Sequence, residues 1–481
     1  MNLIQQIANT RGDFPALVSG EEVISYGELH ARISKLRDWL SKQNVSSVAL
    51  QAQNSIDWVI LDLACQAQGI LLTPIPLFFT RTQKQRVVDS AKPQLIFNDQ
   101  NKGEALSVSD CGISLDVQKT KLISSPEVPE LTVKITYTSG STGEPKGVCL
   151  SAQNQLAVAS ALVQTIGIQK PKHLCLLPLP TLLENIAGVY APLLVEGTVV
   201  LENDEARGFS GSRLVSPQAL VATISKHQPN TLILVPELLQ LLIFMVNKGW
   251  QPPASLQFIA VGGSLVAPQL LATARELNLP VFQGYGLSEC GSVVSLCTPK
   301  DKIDSVGRIL PQVQVKTVNK ELVVSGNSFL GYVDMPETWH QSQVHTGDIA
   351  EVRDGNLYIQ GRIKNTIINS FGRNISPEWI ESELLSTGMF SQAVVIGDAK
   401  PFCSAILVPV EANIPAALIE KTLYQVNQNL PDYAQVKNPI LLTAPMDTQS
   451  GLYTANHRPR RGAIQQHFQH QIAQIYAKAC A

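Results

Sequence analysis

Residues 136–147 read T-Y-T-S-G-S-T-G-E-P-K-G. Four hydroxyls (Thr138, Ser139, Ser141, Thr142) stand among three glycines (Gly140, Gly143, Gly147), and Lys146 adds a positive charge. Glycines let successive backbone N–H groups turn toward one centre, hydroxyls supply further donors, and the ammonium supplies a point charge. Together they make a nest for a polyphosphate. Ser, Thr and Gly also build ordinary turns, but a surface turn leaves this density of hydroxyls, and the lysine, without a use. The loop is not a Walker A motif, because Pro145 precedes the lysine and Gly147 follows it. The alternation of Leu131, Val133 and Ile135 predicts a strand feeding the loop.

A second set of candidates lies at 281–289, V-F-Q-G-Y-G-L-S-E. Gly284 and Gly286 allow backbone to lie against a flat ligand, and Tyr285 offers a ring for a base to stack on. Ser288 can donate to a phosphate oxygen, and Glu289 is a hard oxygen ligand suited to magnesium. A Rossmann fingerprint needs glycine where Glu289 stands, which excludes a nicotinamide site. The competing view is a glycine-rich turn beside a core tyrosine. At 345–348, H-T-G-D reads as a tight turn whose Asp348 could grip two ribose hydroxyls, or as a surface aspartate in a turn. Residues 259–264 read as a strand ending in the Gly262–Gly263 turn, a common ligand position in an α/β sheet.

These groups need a scaffold. The chain has 481 residues, too many for one ordinary core, so at least two domains are expected. A 44% hydrophobic content and a net charge of -2 suit a globular enzyme and argue against disorder or a nucleic-acid-binding patch. Eight cysteines are scattered without a C-x-x-C pair or neighbouring histidine cluster, which predicts free buried thiols in a reducing compartment. The start of the chain lacks the charged-then-apolar pattern of a signal peptide, and the most apolar stretch, 232–246, holds Pro236 and Glu237 and is too short to span a bilayer. A cytoplasmic protein without a membrane span is expected. Helical periodicity at 26–43, a strand at 48–51, a helix at 58–69 and an apolar run at 70–76 predict α/β architecture. Residues 101–130 read as a variable surface connection, 153–166 as a helix and 306–332 as short β segments. Further on, 367–381 reads as strand, glycine turn, then a helix capped by Ser376 with Pro377 at its first position. Gly372, in that turn, is equally readable as a structural β-turn glycine.

The phosphate loop, the Y-G-L-S-E segment, H-T-G-D and G-R-I-K at 361–364 occur in the order of the acyl-adenylate-forming superfamily: acyl-CoA synthetases, non-ribosomal peptide adenylation domains and luciferase. The resemblance runs from about Tyr26 to Arg461, with Ser288 in place of the family's threonine. It implies a large N-terminal domain (1–361) of αβαβα-type subdomains with a β subdomain. A hinge at 362–364 and a small, mobile α+β C-terminal domain (365–481) would follow. It implies that Thr138, Ser139, Gly140, Ser141, Thr142, Gly143 and Lys146 hold ATP phosphates, Tyr285, Gly286 and Ser288 the nucleotide, Glu289 magnesium, and Asp348 and Arg362 the ribose. Lys364 would sit at the hinge, and Gly372 would approach the pantetheine of CoA.

The family's acid pocket follows the strand near Leu174. Here that segment, 181–188, is T-L-L-E-N-I-A-G, without the aspartate typical of amino-acid activation, so an apolar acid, a fatty acid first, is expected. Glu184 could hold an amine but reads better as a hydrogen-bonded helix residue. His173 and His227 show no partner in sequence and read as structural. The resemblance departs near the C-terminus: the family form T-x-x-G-K-x-x-R meets Thr454-Ala-Asn-His457-Arg458-Pro-Arg460-Arg461, placing Arg458 where the adenylating lysine stands. Arginine keeps the charge but is broader and forked. The expected activity is acyl-AMP formation from ATP and acid, then transfer to the thiol of CoA. The alternatives are a carrier-protein phosphopantetheine or an amine as acceptor, and a nucleotide-binding protein that no longer adenylates.

Overall fold

The computed structural model describes residues 3–99, 108–120, 125–138, 146–211, 213–411, 414–454 and 457–479. Two sheets form the large domain. In the first, Thr198–Leu201, Lys172–Cys175, Thr231–Leu234, Phe258–Val261 and Val281–Tyr285 run parallel, side by side. The sheet continues antiparallel through Ser295–Leu296 and Arg308–Ile309 into the long pair Gln343–Arg353 and Asn356–Arg362. The expected β subdomain is therefore the antiparallel end of a continuous 13-stranded sheet. The second sheet has a parallel centre of Leu95–Asn98, Ser47–Gln51, Leu71–Pro74 and Lys134–Thr138. Parallel strands buried on both faces explain the near-continuous apolar runs in the sequence.

The helices begin and end where the sequence places caps. Tyr26–Gln43 starts after Ser25, whose hydroxyl accepts from the Glu28 N–H, and ends at Asn44 in a left-handed conformation (φ 52°). Leu29, Ile33, Leu36 and Leu40, on its inner face, are all buried. Ala152–Ile166 carries a capping box between Ser151 and Asn154. The stretch at 101–130 is not only a surface connection. Asp116–Lys119 is an edge strand paired with Leu95–Asn98, and Val108, Ile113, Leu115 and Val117 are buried. Four residues are too few for alternation to show in the sequence.

From residue 367 onward a separate set of apolar residues packs together, Ile380, Leu384, Phe390 and Leu407 among them, giving the C-terminal domain its own core. Ser376 caps Pro377–Ser386 by accepting from the Trp379 N–H, and Gly372 lies at φ +71°. Seven cysteines are free and buried among the described residues, and no helix among them is long and apolar enough to cross a membrane.

One polar cluster ties the sheets together. Lys134, at the start of the strand that feeds the phosphate loop, is 2% exposed and sits 2.7 Å from Asp62 Oδ1 on the helix Ile56–Gln68. Its ammonium also donates to Asn185 and to Tyr190 Oη (2.9 Å), while Asn185 Nδ2 and the Tyr190 hydroxyl both donate to Asp62 Oδ2 at 2.8 Å. Asn185 and Tyr190 belong to a π-helix, Glu184–Tyr190, on the other sheet's side of the domain. Removing one partner of a buried ion pair leaves a charge with neither water nor counter-ion. Lys134→Met is expected to lower the stability of the large domain by about 3–5 kcal/mol, and Asp62→Leu added to it to recover most of the loss. Urea unfolding of both variants measures this; an unchanged midpoint for Lys134→Met would contradict it.

Candidate functional site

A cleft of about 2140 Å³ opens at the C-terminal ends of the parallel strands, between the large and small domains. It gathers Thr138, Lys146, Tyr285, Gly286, Ser288, Glu289, Asp348, Arg362, Lys364 and Arg458, which span more than 300 residues of sequence. Ser139, Gly140, Ser141, Thr142 and Gly143 lie outside the described residues. Thr138 and Lys146, which bracket them, face each other across an antiparallel pair. Gly372 is not among the residues lining the cleft.

The T-G-D segment is not a tight turn. It lies inside the strand Gln343–Arg353, as a bulge with Gly347 at φ +70°. The bulge is held by Thr346 Oγ1 donating to Leu322 O (2.8 Å) and by the Gly347 N–H donating to Glu321 Oε1 (2.9 Å). The bulge sets three residues, 346–348, opposite Leu322 alone; a bulge re-aims the side chains it carries, and Asp348 lines the cleft. Register places Asp348 directly opposite Arg362, whose Nε reaches Asp348 Oδ1 at 2.9 Å. The Tyr285 hydroxyl donates to the other carboxylate oxygen at 2.6 Å. Burial and the adjacent Asp348 both hold the Tyr285 proton on, well above the usual phenol range.

The glycines beside Tyr285 have an internal reason. A Cβ on Gly286 would stand 1.8 Å from the Ser292 carbonyl oxygen, and one on Gly284 would stand 3.2 Å from Leu296 Cδ1. Gly286 is therefore required by the turn that follows, whatever lies against it. Glu289 accepts from the Tyr332 hydroxyl through Oε1 (2.8 Å), and the Lys146 ammonium stands 5.1 Å above the Tyr332 ring. Tyr332 joins the phosphate-loop lysine to the acidic group, a role without a sequence signal because the residues meet only through the pairing of Gly331–Tyr332 with Lys146–Leu150. Among the described residues Tyr332 is the hydrogen-bond donor to Glu289's carboxylate, which leaves a hard oxygen facing the cleft. That donor fits magnesium.

The small domain contributes Arg458. Its Nη2 donates to the Gly263 carbonyl at 3.1 Å, at the glycine turn ending Phe258–Val261, and its own N–H donates to Thr454 Oγ1. The guanidinium stands in the open cleft, where the walls desolvate it and Arg362 repels it. Both effects lower its proton affinity, and Asp348 and Glu289 oppose them. Lys364 is likewise pushed down, by burial first and then by Arg362 and Arg458. The other arginines of the segment are committed elsewhere. Arg460 donates to Gly451 O, and Arg461 forms a two-pronged pair with Glu381 at 2.8 and 2.6 Å. His457 takes the family's glycine position with φ +53°.

Neither histidine read as solitary is without a partner. His173 contacts Thr231 Oγ1 (2.8 Å) and Glu184 Oε1 (3.0 Å), and His227 contacts Glu202 Oε1 (2.6 Å). Glu184 is fully buried and also accepts from the Leu177 N–H, so it is a hydrogen-bonded helix residue without an open side for a substrate amine.

The large mixed sheet domain, the separate C-terminal domain and the cleft between them match the adenylate-forming ligase fold. The chain belongs to the AMP-binding enzyme family: residues 4–331 match the AMP-binding enzyme model and 364–480 its C-terminal domain. It is 27% identical over 430 residues to a 2-succinylbenzoate–CoA ligase of Staphylococcus epidermidis, covering 82% of this chain and 84% of that one. An o-succinylbenzoate CoA synthetase from Bacillus subtilis, solved with its acyl-adenylate and also with ATP and magnesium, superposes with a TM-score of 0.78. The acyl-adenylate form is 21% identical and the match covers 96% of this chain and 98% of that one. An anthranilate CoA ligase in complex with anthranoyl-AMP gives 0.82 at 16% identity, covering 97% of each. These relatives act on aromatic acids and name neither a fatty acid nor a carrier protein, so the expected fatty acid and the carrier-protein partner have no support.

Asp348→Asn removes the charge on which Tyr285 and Arg362 converge. It is expected to weaken AMP and ATP binding by about 10- to 100-fold, the value of hydrogen bonds to a charged group. Calorimetric titration of the folded variant measures this, and unchanged nucleotide affinity would remove Asp348 from the nucleotide site.

Proposed function

We propose that the chain is an AMP-forming ligase that activates an aromatic carboxylic acid and passes it to the thiol of CoA. The observation that carries this reading is Arg458, delivered by the small domain to the Gly263 carbonyl inside a cleft already lined by Lys146, Glu289, Asp348 and Arg362. The aromatic acid is supported by the relatives together with the apolar wall of Leu183, Ala187, Phe258 and Ala260.

In the first step a carboxylate oxygen of the acid bonds to the α-phosphorus of ATP. The bond from that phosphorus to the bridging oxygen breaks, and pyrophosphate leaves with the electron pair. Asp348 and Arg362 hold the ribose hydroxyls, and Tyr285 stacks on the base. Thr138, Ser139, Gly140, Ser141, Thr142, Gly143 and Ser288 orient the phosphates, and Lys146 and Arg458 neutralise the charge that develops on them. Magnesium, when bound at Glu289, offsets further phosphate charge. In the second step the CoA sulfur attacks the carbonyl carbon, its proton leaves, and the bond to AMP oxygen breaks. Gly372, outside the cleft in this arrangement, would meet pantetheine only after the small domain turns about a hinge at 362–364. That hinge would divide an adenylation domain of 1–361 from a C-terminal domain of 365–481.

A second reading, a nucleotide-binding protein without turnover, rests on arginine standing at the lysine position. The two readings part in half-reactions. On the ligase reading, Arg458→Ala slows acid-dependent pyrophosphate release by about 100-fold or more. It leaves CoA thioester formation from supplied acyl-AMP within a few-fold of the unaltered chain, and Arg458→Lys restores the first step to within about tenfold. Equal pyrophosphate release by the Ala variant would remove Arg458 from the reaction. ATP binding without release by any aromatic acid would establish the second reading.

A further inference from the structure

Inward from Gly263, the cleft runs along the face of the parallel sheet covered by the helix Ala152–Ile166 and the π-helix. Its wall there is Leu183, Ala187, Phe258, Ala260 and Leu296, all apolar. At the far end, where Lys172–Cys175 and Thr231–Leu234 begin side by side, it is lined by His173 and Thr231. Glu184 stands directly behind them, fully buried. A Cβ on Gly188 would lie 2.7 Å from His173 Nε2 and 2.8 Å from Glu184 Oε1, so the glycine gives this pair its room.

One buried cation, Arg207, lines this pocket, another, Lys134, lies beyond the π-helix residue Asn185, and each is already engaged. Arg207, 2% exposed, pairs with Asp204 and donates to Leu176 O (2.6 Å) and Glu202 O (2.9 Å). Lys134 is bound to Asp62. Among the described residues no lysine or arginine of this wall lacks an acidic or carbonyl partner, and 139–145 contain neither residue type. A carboxylate buried without a counter-ion is strongly unfavourable, and Glu184 is a further acidic group 3.0 Å behind the lining His173.

We infer that this pocket admits an acid whose tail carries no charge, and that Glu184, fixed by His173, is a specificity-determining residue that rejects a second carboxylate. The inference rests on the ligase reading above and narrows it. 2-Succinylbenzoate, named for the relatives, carries two carboxylates, so this chain's acid differs from theirs by one charge.

The test is a matched pair: 2-succinylbenzoate, and benzoylpropionate, the same acid without its ring carboxylate. The sulfamoyl-adenosine conjugates of both, stable mimics of the acyl-adenylates, are titrated calorimetrically into the intact chain and into Glu184→Gln. The variant keeps the side chain's size and a hydrogen-bonding amide. Pyrophosphate release with each free acid is measured in parallel. The expected result is a preference for the uncharged-tail conjugate by about 100-fold or more. In Glu184→Gln that preference should shrink by about tenfold, through tighter binding of the dicarboxylate conjugate. Equal or tighter binding of the dicarboxylate conjugate would overturn the inference, and a preference that survives Glu184→Gln intact would overturn the role of Glu184. Because the conjugates bind without turnover, absence of pyrophosphate release with either acid counts against the ligase reading alone.

Discussion

The Lys134–Asp62 ion pair is the contact on which the placement of the two halves of the site depends. Lys134 opens the strand that ends at Thr138 in the cleft, and Asp62 sits on the helix Ile56–Gln68. The asparagine and tyrosine that complete the cluster come from the π-helix that walls the acid pocket. A wholly apolar contact there would hold as much area but would allow the two elements to slide. Four hydrogen-bonding groups with complementary roles allow one registry. That is the use of buried polarity best supported in other proteins, and on the proposed function it would set the acid against the phosphate that the acid attacks.

On the nucleotide side the same economy comes from strand register. Asp348 and Arg362 are adjacent because Gln343–Arg353 and Asn356–Arg362 are hairpin neighbours, and the Gly347 bulge turns the carboxylate toward Tyr285. A rigid sheet thus sets out Asp348, Arg362 and Tyr285 before any ligand arrives, so on the proposed function little ordering would be needed on binding. Arg458 is different: it reaches the cleft from another domain through one hydrogen bond to a carbonyl. Its segment is anchored by the Arg461–Glu381 pair inside the small domain. Arg458 thus belongs to the small domain, while Asp348 and Tyr285 belong to the sheet of the large one.

Much of this was readable in the sequence where the signal is local. The cap and apolar stripe of Tyr26–Gln43, the hydroxyl-and-glycine loop before Lys146, and the glycine-tyrosine-glycine run near Glu289 all sit within a few turns of chain. What was not readable depends on partners far away. A lysine in an apolar strand gives no hint that Asp62, 72 positions earlier, neutralises it. His173 looked solitary because Glu184 meets it only through the fold, and Tyr332 had no marker at all. The T-G-D segment misled for a physical reason: a glycine between Thr and Asp makes a turn and a bulge look alike, and only the pairing with Arg362 distinguishes them. The apolar segment at 181–188 states polarity but not shape, so it does not separate a fatty acid from the aromatic acids named for the relatives.

On the proposed function, arginine in the lysine position supports acyl-adenylate formation. The most direct measurement is exchange of labelled pyrophosphate into ATP by the unaltered chain, with magnesium and an uncharged-tail aromatic acid and without CoA. Exchange that requires the acid is expected, since only a reversible acyl-AMP can return label to ATP. Tight ATP binding with no acid-dependent exchange would contradict it.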